Sequence, residues 1–322
     1  MVQNMMSDGN NKTFSALQHL LTLAYSTEDE DQEVAARDLA KLVEGVSFPS
    51  VSFGPLAHAL CRLVSSSNLD VATYAARAIK LLILDDALRP QANLAGVVVV
   101  ICDAVKQWED EAKCLTELLG ALQTLCWDRS SVRSVVQAGI VKHLSDYTQV
   151  SDQQVSVLAL STIGNILSYS DTLLLQDTHT ITALSQMLPA LLEICRTAHE
   201  RPQCFYACAA IANAAAHPAL AQLLLQENGL AVCRELSHQA DARLHILGSC
   251  LGDSAQTAVH HLSSGREGDR SKASRKYRFK WGTKPTMRLG LVSSKKHGRL
   301  ITVCLLVWVL LVTYALSPIL FG

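Results

Sequence analysis

Apolar and small residues recur at intervals of three and four along most of the chain, the spacing that gathers them on one face of a helix. Alternating apolar and polar runs, the mark of half-buried strands, are nearly absent before Ser263. Five segments with one apolar face resemble each other: AARDLAKLV from Ala35, AARAIKLLI from Ala75, LLGALQTLC from Leu118, ALSTIGNIL from Ala159 and ACAAIANAA from Ala207. Their starts are 40, 43, 41 and 48 residues apart. Glycines lead into apolar helices nearly in phase with them, at Gly54, Gly96, Gly139 and Gly229, with gaps of 42, 43 and 90 residues. The last gap is two periods, with the missing member expected near Thr178 to Thr180. A glycine between two helices suits a tight bend at positive φ. Two markers sharing one period predict an all-α repeat array with two or three helices per unit.

The pattern changes at the C-terminal end. Leu300 to Gly322 holds 23 residues without a charge, and Trp308 and Tyr314 lie within it. A membrane span needs about 20 mostly apolar residues. Arg266 to Arg299 carries twelve Lys or Arg against two acidic residues, a net of +10. The positive-inside rule places that basic side, and the domain before it, in the cytosol. The start MVQNMMSDGN lacks the basic and apolar regions of a signal peptide. These features predict a single-pass, tail-anchored protein. The uncharged length and one-sided cations point to the endoplasmic reticulum or nuclear envelope. A span ending at Pro318 would suit the mitochondrial outer membrane instead. The predicted organisation is a disordered N-terminus over 1–12, a repeat domain over 13–262 and a basic flexible linker over 263–299. A transmembrane anchor over 300–322 completes it.

Charge narrows the choice of partner. The whole chain is nearly neutral at −1, but outside the basic stretch it has 16 basic and 27 acidic residues. Such a body does not favour nucleic acid; it favours solubility or a protein partner with basic segments. Ten cysteines without paired spacing sit mostly in apolar helical runs, and read as free thiols packed as small hydrophobes. His199 between Cys195 and Cys204, with Cys208 following, invites a metal reading. The spacing is not a zinc pattern, so packing is expected and no metal or other cofactor is called for. No phosphate loop, nucleophile elbow or paired-carboxylate motif is present, so the chain is not expected to be an enzyme. The NKT at Asn11 would lie on the cytosolic side, away from glycosylation.

Within the repeats, SVRSVVQAGIVKHLSDY followed by VSVLALSTIGNILSYS resembles an armadillo repeat. The resemblance covers roughly residues 13 to 262 and is best from Leu118 to Leu236. It implies a right-handed armadillo/HEAT-like α-solenoid of about five to six repeats. In that family a short first helix ends at an Ala-Gly or Asn-Gly bend, a second helix follows, and third helices stack along a concave groove. An Asn on the third helix holds the backbone of an extended peptide. The matching positions here are Lys41, Leu81, Thr124, Asn165 and Asn213, of which only the last two are Asn. The resemblance therefore implies partner binding by Thr124, Asn165 and Asn213. The alternative is that the two amides bond only to neighbouring third helices. Import receptors of the family carry a Trp four residues earlier, where this chain has Ser161 and Ala209, so binding of nuclear-localisation signals is not expected.

The basic linker offers a second contact. In RKYRFKW, cations alternate with aromatics, and Lys295, Lys296 and Arg299 adjoin the span. Lys276, Arg278, Lys280 and Trp281, with those three, are candidates for an interface with anionic headgroups, each cation worth about 1 kcal/mol near the surface. Otherwise the segment is a solvated linker whose charges only set topology. Two functions follow. One is a non-enzymatic scaffold or adaptor, tethered to a membrane, that binds a peptide or protein in its groove. The other is a chaperone-linked cofactor or import-like transport factor acting at the membrane surface.

Overall fold

The last helix of each repeat, called its third helix below, packs with small residues (Ala, Gly, Ser or Thr), and this lets successive helices approach closely. In the computed structural model, residues 14–45, 53–169, 178–197, 202–242 and Val259 are described, and all their regular structure is helical. The first repeats are α1 (Phe14–Ala24) with α2 (Asp29–Gly45), then α3 (Phe53–Val64) with α4 (Leu69–Leu82). Three-helix repeats follow. The first is α5 (Leu88–Leu94), α6 (Val97–Gln107) and α7 (Ala112–Leu125); the second is α8 (Arg129–Gln137), α9 (Val141–Tyr147) and α10 (Gln153–Leu167). The third is α11 (Thr178–Ser185), α12 (Leu188–Thr197) and α13 (Pro202–Ala215). After it come α14 (Pro218–Gln226) and α15 (Gly229–Ala242).

All five look-alike segments fall on third helices. These stack in series, α2 on α4, α4 on α7, α7 on α10 and α10 on α13. Ala35, Ala36, Ala75, Ala76, Ala121, Ala159, Ala207 and Ala210 are buried. They fill the contacts without forcing the backbones apart. Larger side chains such as Leu39, Leu60, Leu118, Leu122 and Ile101 fill the space between third and second helices, buried almost completely. Each such side chain contributes about 1.5–3 kcal/mol when removed from water.

Helix starts are fixed locally. The Asn68 side chain accepts from the backbone N–H of Asp70 and Val71 at the start of α4. Asp152 does the same for Gln154 and Val155 at α10. Asp128 accepts from Ser131 N at 2.9 Å at the start of α8. Each satisfies donors that the first turn leaves open. Repeats are also tied together away from the third helices. The Tyr147 hydroxyl donates to Val105 O at 3.3 Å, Tyr169 donates to Trp127 O, and Gln107 donates to Ser66 O at 3.4 Å. The buried Arg89 guanidinium donates to Ile83 O and Leu84 O and lies 4.8 Å from the Trp127 ring centre.

The glycines divide by role. Gly96 (φ +79°) and Gly139 (φ +70°) make the expected left-handed bends, and the chain turns by 74° between α5 and α6. Gly54 instead lies in the first turn of α3, with open space where a Cβ would stand. At the α14–α15 bend Asn228 takes the left-handed conformation (φ +60°), which Asn tolerates better than most side chains. Gly229 then opens α15, where a Cβ would lie 2.8 Å from Leu224 O. The bend between α11 and α12 falls at Gln186–Met187, so Thr178 to Thr180, where the missing glycine was expected, lies inside α11.

Among the described residues no single helix is long and apolar enough to cross a membrane. The expected span at Leu300 to Gly322 and its basic linker lie outside them. The two glycine classes make a direct prediction. Gly96→Ala should lower stability by about 1–2 kcal/mol, the strain of a left-handed L-residue. Gly54→Ala should change it by no more than about 0.5 kcal/mol. Urea unfolding followed by helical ellipticity checks both; equal losses would mean that the bend at Gly96 does not depend on its conformation.

Candidate partner-binding face

Stacking the third helices puts corresponding residues in rows that run across the array. The row containing the sequence-predicted positions is Lys41, Leu81, Thr124, Asn165 and Asn213. Lys41 is exposed and Leu81 half-buried, whereas Thr124, Asn165 and Asn213 are only 1%, 0% and 4% exposed. Thr124 Oγ1 donates to Gly120 O one turn back, at 2.9 Å. Asn165 Nδ2 donates to Gln123 O of α7 at 3.3 Å, and Asn213 Nδ2 donates to Gly164 O of α10 at 2.9 Å. Both amides thus bond across to the preceding third helix. Gln123 Nε2 adds a bond to Ser161 Oγ at 2.9 Å.

The other half of the array uses charge for the same purpose. Arg77 of α4 pairs with Glu44 of α2, and Lys80 of α4 pairs with Glu117 of α7. The Lys80 stem runs across Gly120, where a Cβ would lie 2.8 Å from Lys80 Cδ. Gly120 is therefore a seat for this side chain. Arg37 lies within 3.6–3.7 Å of Glu33 and Asp38, and Lys41 within 2.9 Å of Asp38. The charges along α2, α4 and α7 are largely committed to one another.

One row was missed by inspection of motifs. Seven residues, almost two helical turns, before the Asn positions stand Val34, Tyr74, Glu117, Leu158 and Tyr206. All five are half-buried, and a seven-residue step keeps them on the same helix face. They form a stripe across five helices, apolar or aromatic except for the central Glu117. Phe205 packs edge-on against Tyr206, with ring centres 5.3 Å apart. The period alone could have found this row once the open face was known.

The remaining sequence candidates are placed as follows. Lys276, Arg278, Lys280, Trp281, Lys295, Lys296 and Arg299 lie outside the described residues, as does His199. Cys195, Cys204 and Cys208 are buried in the core. Among the described residues no three His, Cys, Asp or Glu are arranged to hold a metal ion.

No family model and no curated protein matches the sequence. Solved structures do match the fold. An engineered protein from the Northeast Structural Genomics Consortium superposes with a TM-score of 0.63 at 23% identity, covering 78% of this chain and 97% of that one. A designed armadillo repeat protein gives 0.61 at 18% identity, covering 77% and 100%. A second designed armadillo repeat protein, solved in complex with the peptide (KR)4, gives 0.60 at 17%, covering 77% and 99%. The fold is armadillo-like.

The Lys80 seat can be measured. Lys80→Ala and Glu117→Ala should show a coupling of about 0.5–1 kcal/mol in a double-mutant cycle, shrinking with salt. Gly120→Ala should remove most of that coupling by displacing the lysine stem. A coupling that is unchanged in the Gly120→Ala background would show that the seat does not position the pair.

Proposed function

We propose that this protein is a non-enzymatic scaffold that holds a peptide or partner protein against its third-helix face while its C-terminal segment tethers it to a membrane. The observation that carries the reading is the half-exposed row Val34, Tyr74, Glu117, Leu158 and Tyr206, which crosses every third helix from α2 to α13. A partner lying across the helices meets apolar surface at both ends of the row and the Glu117–Lys80 ion pair in the middle. Extended segments suit such a surface, since alternate side chains fill successive positions while the backbone runs past them. The armadillo neighbour that carries a (KR)4 peptide supports a peptide as the occupant. An acidic body draws a basic segment by long-range attraction.

Thr124, Asn165 and Asn213 are assigned to the same binding line, behind the half-buried row. Their contribution is to hold the spacing of α7, α10 and α13 beneath the partner's path. The tether is Leu300 to Gly322, in the endoplasmic reticulum or nuclear envelope, with Lys276, Arg278, Lys280, Trp281, Lys295, Lys296 and Arg299 on the cytosolic headgroups. Tethering raises the local concentration of a partner at the same surface, so a weak groove suffices.

Two experiments test this. A partner recovered by crosslinked pull-down should lose at least about tenfold in affinity to Leu158→Glu, the equivalent of about 1.4 kcal/mol, with a melting temperature close to wild type. Asn213→Ala should lower stability by about 0.5–1.5 kcal/mol, because the cross-helix bond is lost while Gly164 O keeps its helical donor, Ser168 N, and should weaken binding further. Unchanged affinity in Leu158→Glu would remove the face from the binding site. For the tether, a glycosylation acceptor added after Gly322 should be modified during insertion into endoplasmic reticulum while Asn11 stays bare. Sugar on Asn11 would reverse the orientation.

A further inference from the structure

The last third helix is buried on every side. Ala207 to Ala215 of α13 are buried without a break, as are Ala159 to Leu167 of α10. A helix turns once in 3.6 residues, so an unbroken run of this length leaves no side open to water. For α10, the neighbouring third helices α7 and α13 supply the cover. For α13, α10 stands on one side, and α12 and α14 also pack against it. None of the helices α1 to α15 takes the place of a further third helix on the remaining side.

Val259 supplies the register of such a helix. It is helical, half-buried and packed against the core. The five look-alike segments each carry a large aliphatic residue four positions after their start: Leu39, Ile79, Leu122, Ile163 and Ile211, all buried. The last two starts, Ala159 and Ala207, are 48 residues apart. One more step of 48 reaches Ala255, and four positions on stands Val259. Ala255, Ala258, Val259 and Leu262 recur at the spacing that gathers residues on one helix face. Gln256 departs from the buried residues at its place, Ala36, Ala76, Leu119, Leu160 and Cys208, as the outer side of a terminal repeat allows.

We propose that the chain's own segment from Ala255 to Leu262 is a further third helix, docked against the side of α13 that faces away from α10. Twelve residues, 243–254, separate it from Ala242 at the end of α15. Extended, they span about 40 Å at about 3.3–3.6 Å each, well beyond the roughly 8–10 Å between packed helices. The same chain therefore reaches the site without help from a second copy. The occupant is apolar on one face, as the alanines of α13 require, and it buries them without a charge to desolvate. The row of Thr124, Asn165 and Asn213 continues to His261. On the proposed function, the basic stretch from Arg266 then leaves the α13 end of the face, and that end of a bound partner stands nearest the C-terminal segment.

The test is hydrogen exchange, read by mass spectrometry on the full chain in detergent without any partner. Val259→Asp places a charge in the joint and should speed exchange of Ala207 to Ala215 at least about tenfold, while α2 and α4 keep their wild-type rates. Should the aspartate unfold the whole array, Val259→Ala gives the milder loss and should speed the same residues about threefold. Protection of α13 in the wild type should not change on dilution. Exchange of α13 unchanged in a folded Val259→Asp chain, or in Val259→Ala where the aspartate does not fold, would overturn the proposal. So would a two-copy particle whose dilution to one copy exposes α13, since a second copy would then be the cover.

Discussion

Close approach of the third helices is the constraint on which the rest of the structure depends. Asn213 reaches Gly164 O, and Asn165 reaches Gln123 O, only because small residues keep the backbones near one another. Gly164 O already accepts from Ser168 N and uses a second lone pair for the cross-helix bond, whereas Gln123 O lies in the last turn of α7, where carbonyls fall beyond the helical ladder. Each bond adds only about 1 kcal/mol net, but an amide left without it in the core costs more. The amides therefore select one register between neighbouring helices. In the charged half, Arg77 with Glu44 and Lys80 with Glu117 serve the same end at less cost in desolvation, since these side chains stay partly in water.

This arrangement decides what kind of recognition the face can perform. Arg37, Lys41, Arg77 and Lys80 are engaged with Glu33, Asp38, Glu44 and Glu117. On the proposed function, selectivity then falls to shape and apolar contact along Val34, Tyr74, Leu158 and Tyr206, with Glu117 as the one acidic residue in the row. A face of this kind suits a partner whose apolar side chains are spaced to match the helices. The tether would relax the demand for affinity, because a membrane-bound partner samples the face repeatedly.

Much of the fold was legible in the sequence, since repetition is a long-range signal that local ambiguity does not erase. The five segments from Ala35, Ala75, Leu118, Ala159 and Ala207 all lie on stacked third helices. The glycine marker was less faithful. Gly96 and Gly139 serve left-handed bends, Gly229 serves a close approach to Leu224 O, and Gly54 serves neither. A sequence shows the missing side chain but not which need it meets. The amides at Asn165 and Asn213 were identifiable as special, yet their bond partners depend on helix separation, which periodicity does not encode. The half-buried row was hidden for a similar reason. Its members are a Val, two Tyr, a Leu and a Glu, with no residue type common to all, and only the stacking shows them in line.

The most direct measurement is site-specific photo-crosslinking from the face itself. A photoreactive side chain placed at Tyr74 and, separately, at Leu158 should capture one partner through two parts of a single continuous segment, ordered along the array. The same probe at Val99, an exposed residue of a second helix, should capture that segment at neither part. Capture of unrelated proteins from Tyr74 and Leu158, or equal capture from Val99, would contradict a partner lying across the third helices.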